Sequence, residues 1–85
     1  MKNVTIYSQK TCPYCVKAKQ LLDSKGVKYE ELLVDEKPDL LQEAIDRSGG
    51  MKTVPQIFIE NHHVGGCDDL HALEKEGKLD ELLGK

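Results

Sequence analysis

No apolar stretch near the start of these 85 residues is long enough to form the core of a signal peptide or to span a membrane. The run from Val4 to Tyr7 is the nearest approach, and it is too short for either role. With no export signal and no span, the expected compartment is the cytoplasm, with no membrane partner. An excess of positive charge is missing as well. The net charge is −3, which removes the electrostatic footprint of general nucleic-acid binding. No internal repeat, low-complexity tract or linker divides the chain, so one domain over residues 1–85 is expected. Hydrophobic residues at 39% and charged residues at 32% are the balance of a soluble globular domain rather than a disordered chain.

What is present is a set of three cysteines, two of them in Cys12-Pro13-Tyr14-Cys15. A reducing cytoplasm makes a structural disulfide a poor explanation for them. The surrounding pattern predicts strand, helix, strand, helix, hairpin and helix. Asn3 to Tyr7 is a strand, and Pro13 to about Lys25 is a helix with Val16, Ala18, Leu21 and Leu22 facing inward. Tyr29 to Val34 is the second strand. Pro38 to about Ser48 is the second helix, with Leu40, Leu41, Ala44 and Ile45 as its apolar stripe. Gln56 to Ile59 and His63 to Gly65 form a hairpin around Glu60-Asn61-His62. A helix over Asp68 to Glu76 follows, and Lys78 to Leu83 adds a turn or two. The first strand–helix–strand unit should be parallel, because its connection is a helical crossover. The expected class is α/β: a thioredoxin-like fold, with a mixed four-stranded sheet and helices on both faces.

Cys12 stands where a strand hands over to a helix. Unpaired N–H groups and a partial positive charge at a helix start stabilise a thiolate. Lys10 adds positive charge close by, and Lys17 and Lys19 at longer range. Cys15 is three residues on, within disulfide reach and one turn deeper. For a thiol whose pKa falls from about 8.5 to about 6, the thiolate fraction at neutral pH rises roughly 30-fold, while nucleophilicity falls roughly 13-fold. The larger benefit is therefore as a leaving group, and the centre should turn disulfides over rather than keep them. The alternative is a zinc half-site completed by His62, His63 or Cys67. No second cysteine pair accompanies it, and Pro13 fits a helix start, so a redox pair is the stronger reading and no metal is expected.

Three segments in this order and spacing resemble the glutaredoxin family, in particular its small bacterial dithiol members: Thr11 to Cys15, Thr53 to Ile59, and Gly65 to Leu70. The resemblance spans essentially the whole chain. It implies a glutathione-dependent oxidoreductase, acting on protein disulfides and glutathione mixed disulfides, with catalytic Cys12 and Cys15. It also implies a monomer whose partners are glutathione and glutathionylated or disulfide-containing proteins, ribonucleotide reductase among them. A cis bond at Val54-Pro55 is implied, against a trans proline that merely opens a strand. The implied glutathione contacts are Lys10, Tyr14, Thr53, Val54, Pro55, Gly66, Cys67 and Asp68. The γ-glutamyl end would lie at Gly66-Cys67-Asp68, the cysteinyl part on Val54, and the glycine carboxylate near Lys10. Asp68 and Asp69 could instead cap the helix, and the sequence does not say which does so. Cys67 reads more simply as a small, partly buried residue than as a regulatory thiol. His62 and His63 read as solvated turn residues, and Glu30-Glu31 and Asp35-Glu36 as solvated surface. Two rivals share the cysteine pair: a redoxin reduced by thioredoxin reductase, and a module holding an iron–sulfur cluster between subunits.

Overall fold

The computed structural model describes residues 2–84. Strand β1 is Val4–Ser8, helix α1 Pro13–Ser24, strand β2 Tyr29–Leu33 and helix α2 Pro38–Arg47. Strands β3 (Gln56–Ile59) and β4 (His62–Gly65) follow, then helices α3 (Cys67–Lys75) and α4 (Leu79–Leu83). The sheet order is β2-β1-β3-β4. Strand β1 runs parallel to β2 and antiparallel to β3, and β3 pairs antiparallel with β4 across a bulge at Ile57/Phe58.

Alternation along the central strands divides the core in two. Val4 and Ile6 of β1 and Ile57 and Ile59 of β3 pack with Ala18 and Leu22 of α1, Cys67 and Leu70 of α3, and Leu79 and Leu83 of α4. Tyr7 and Phe58 point the other way and pack with Val34 and Ala44, with Leu40 and Val54 beside them. Helices therefore cover both faces of the sheet, as expected. Every residue of β3 is buried because β3 is both internal to the sheet and covered on its two sides. Burying one side chain the size of Leu22 stabilises the fold by roughly 1.5–3 kcal/mol.

Element ends shift by a residue or two from the expected ones, and some faces differ. On α1 the inward face is Cys15, Ala18 and Leu22, and Val16 is exposed. A helix advances about 100° per residue, so the residue after Cys15 turns out of the buried stripe. Leu41 is exposed for the same reason, because Ala44 and Leu40 meet the sheet. His62 joins β4 rather than the turn, which Glu60 makes by adopting a positive φ of 55°.

Candidate active site

Cys12 has extended backbone dihedrals and is the N-cap of α1, with Pro13 in the first turn. The Cys15 N–H donates to Cys12 Sγ over 3.2 Å. This is one of the otherwise unpaired donors of a helix start. Cys12 is half-buried, and its Sγ lies 4.0 Å from the Val54 carbonyl oxygen. Cys15 is fully buried one turn further along. Burial pushes its thiol up to about 12, with the hydrogen bond to Cys12 adding to the rise. Helix geometry has thus separated an accessible sulfur from an enclosed, protonated one.

Beside Cys12 runs a groove of about 220 Å³, lined by Tyr14 of α1, Met51 to Gln56 excepting Lys52, and Gly66 to Asp69. The Val54–Pro55 peptide bond is cis. Of the contacts expected from sequence, the fold gathers Tyr14, Thr53, Val54, Pro55, Gly66, Cys67 and Asp68 into this one lining. Lys10 is not among them. Its ammonium lies 2.7 Å from Glu36, and its backbone N–H donates to Asp35. Asp35 and Glu36 are therefore partners of the active-site approach rather than idle surface. Of the other two lysines, Lys17 leans over the Tyr14 ring at 5.7 Å, whereas Lys19 is held 2.7 Å from Glu31. Glu31 is also not simply solvated, since it accepts from buried Ser8 as well.

The two aspartates sit differently. Asp69 accepts from the Gly66 N–H and so caps α3, while Asp68 stays exposed on the groove rim. Gly65 has φ 115°, and a Cβ there would collide with the Asp69 carboxylate. Gly65 thus serves the cap, and Gly66 alone lines the groove. Cys67 is buried, and its thiol is pushed up by that burial and by Asp68. Among the described residues, no three of the histidines, cysteines and carboxylates converge in a way that could hold a metal, so Cys12 and Cys15 acquire no further ligands from His62, His63 or Cys67.

Two lining residues escaped the sequence reading as contacts, Met51 and Gln56, while Asp69, left open there between cap and contact, also lines the groove. Gln56 carried a usable signal, because a glutamine within a β-branched strand needs internal partners. Its amide donates to Thr53 O and Oγ1, and its Oε1 lies 2.7 Å from His63 Nε2. His63 is correspondingly not a solvated turn residue. It is half-buried, with its ring 4.9 Å from that of Phe58.

Comparison with known proteins agrees with this geometry. The family profile described as Glutaredoxin matches residues 4–64. A glutaredoxin of Pseudomonas aeruginosa is 58% identical over 83 residues, covering 98% of each chain. Glutaredoxin 3 of Escherichia coli K12 is 57% identical over 83 residues, covering 98% of this chain and 99% of its own. Among solved structures, the glutaredoxin of Brucella melitensis superposes with a TM-score of 0.84 at 53% identity, over 100% of this chain and 94% of that one. A buckwheat glutaredoxin–glutathione complex gives 0.86 at 34% identity, over 95% and 76%. Sequence, fold and the paired thiols at the head of α1 lead to one conclusion: the chain belongs to the glutaredoxin family and is a glutathione-dependent thiol–disulfide oxidoreductase.

Proposed function

We propose that Cys12 is the nucleophile, that Cys15 resolves, and that glutathione lies in the groove beside them. The observation that carries this is the position of Cys12 Sγ, held by the Cys15 N–H at 3.2 Å and facing the Val54 carbonyl at 4.0 Å. With a glutathionylated protein, the Cys12 thiolate attacks the glutathione sulfur. That S–S bond breaks, and the protein leaves as a thiolate that takes a proton from solvent. A second glutathione thiolate then attacks the glutathione sulfur on Cys12. Cys12 is freed and glutathione disulfide departs, so one protein mixed disulfide and one glutathione thiol are exchanged for one protein thiol and one glutathione disulfide. With a protein disulfide, Cys15 attacks Cys12 in the mixed disulfide and expels the protein thiol. Two glutathione thiols then reduce the resulting Cys12–Cys15 bond.

In the groove, Tyr14, Thr53 and Pro55 form walls, and the Val54 backbone pairs with the cysteinyl peptide unit as an added strand. The start of α3 at Gly66 and Cys67 receives the γ-glutamyl carboxylate, and Asp68 its ammonium group. Lys10 exchanges Glu36 for the glycine carboxylate. The ion pair it gives up is exposed and screened by solvent, so little is lost in the exchange. The chain acts as a monomer of one domain, residues 1–85, in the cytoplasm, with no resident metal. Its protein partners are glutathionylated and disulfide-containing proteins, ribonucleotide reductase among them.

A glutathione-coupled assay tests these roles. Cys12→Ser should abolish turnover of both substrate types, and Cys15→Ser should spare deglutathionylation while removing protein-disulfide reduction. Loss of deglutathionylation in a folded Cys15→Ser protein would overturn the assignment.

A further inference from the structure

Gln56 is 1% exposed, yet it carries three polar contacts that leave little choice about its orientation. The Thr53 carbonyl oxygen can only accept, so the Gln56 NH2 must face it, at 3.1 Å. The same NH2 group reaches Thr53 Oγ1 at 3.3 Å. Oε1 then necessarily faces His63 Nε2, at 2.7 Å, and needs a hydrogen there. In the neutral ring this selects the tautomer protonated on Nε2. The imidazole is held in register by stacking on Phe58, at 4.9 Å between centroids and 30° between planes. Phe58 is itself fixed from another side by the Arg47 guanidinium, 4.1 Å from its centroid, and by the edge of Tyr7.

These contacts run in one direction, from the far hairpin strand to the wall of the groove. Strand β4 supplies His63, β3 supplies Gln56, and Gln56 grips the residue immediately before Val54. We infer that His63 is a positioning residue for the glutathione groove, holding Thr53 and Val54 in place by donating from Nε2 to Gln56. The inference rests on the reading above that Thr53 and Val54 receive glutathione. His63 touches neither the groove nor a reacting sulfur, so its effect is on how well the substrate is held rather than on the exchange of sulfur bonds.

The test combines kinetics with NMR on the full chain. His63→Leu removes the donor and should raise KM for a glutathionylated peptide about fivefold while kcat changes less than about twofold. His63→Gln, whose side-chain NH2 can donate to Gln56, should recover most of that loss. In the wild-type protein above the imidazole titration range, nitrogen-15 spectra of the His63 ring should show the proton on Nε2. This measurement needs no variant to fold. A ring protonated on Nδ1, an unchanged KM in His63→Leu, or an equal loss in His63→Gln would each overturn the inference. Binding of S-methylglutathione to the wild type separates the two readings. If the Val54 amide shifts on binding but His63→Leu leaves KM unchanged, the groove stands and the role of His63 falls. If the Val54 amide does not shift, the groove assignment falls and takes this inference with it.

Discussion

Intramolecular release of glutathione from Cys12 by Cys15 should accelerate about tenfold per pH unit from about pH 6 to about pH 9, with no plateau. The attacking species is the Cys15 thiolate, and Cys15 is pushed up to about 12 by burial first and by its hydrogen bond to Cys12 second. So high a value leaves only a trace of the thiolate at pH 7.5. Once Cys12 holds glutathione its thiolate is gone, and with it the contributions Cys12 made to raising its neighbour. Burial, the largest cause, remains, so Cys15 still titrates well above an ordinary thiol near 8.5. Raising the pH therefore keeps adding nucleophile through the whole working range. The assay charges Cys12 with glutathione disulfide and removes the excess. Release is then followed by acid quench, alkylation and mass measurement, with Cys15→Ser as the control that releases nothing. A rate that levels off at or below about pH 8.5 would show that Cys15 behaves as an ordinary thiol in the intermediate, and would refute the reasoning.

The two aspartates should separate cleanly. Asp69→Ala should cost about 0.5–2 kcal/mol in urea unfolding through loss of the α3 cap, whereas Asp68→Ala should leave stability within about 0.5 kcal/mol and raise KM for a glutathionylated peptide. Gly65→Ala combines a φ of 115° with a collision at Asp69, and should lower the thermal midpoint more than Gly66→Ala does, since a Cβ at Gly66 meets only Pro55 O at 3.5 Å. The Glu31 carboxyl is held below its usual value first by Lys19 and then by Ser8. Such a group stabilises the fold above its unfolded pKa, and the gain is lost as the pH falls through the folded value. Because both ionic partners are partly exposed, Glu31→Gln should cost no more than about 1 kcal/mol at neutral pH, and the difference from wild type should vanish in acid unfolding experiments near pH 2.

Most of the secondary structure was legible because local chemistry announces it. Pro13 and Pro38 open helices, and the β-branched run before Tyr7 could only be a strand. Cys12 and Cys15 were legible for the same reason, since three residues at a helix start fix which sulfur is outside. What was not legible is what depends on distant partners. The antiparallel union of β1 with β3 joins segments some fifty residues apart and leaves no local mark. Lys10 looked like a free charge beside the cysteines because nothing in its neighbourhood names Glu36 as its partner. Likewise His63 looked like a turn residue until Phe58 and Gln56 were seen to enclose it.

The cysteine pair is local in sequence, but the groove beside it draws on Met51, on Thr53 to Gln56 and on Gly66 to Asp69. A chain being synthesised therefore contains its cysteine pair before the groove is complete. Cys67 follows Cys12 by roughly 55 residues, so at about 5–20 residues per second some 3–11 s of translation separate the two. Until the chain reaches Cys67 the groove lacks the start of α3. Until then the nascent chain carries its cysteine pair without the groove that its C-terminal half completes.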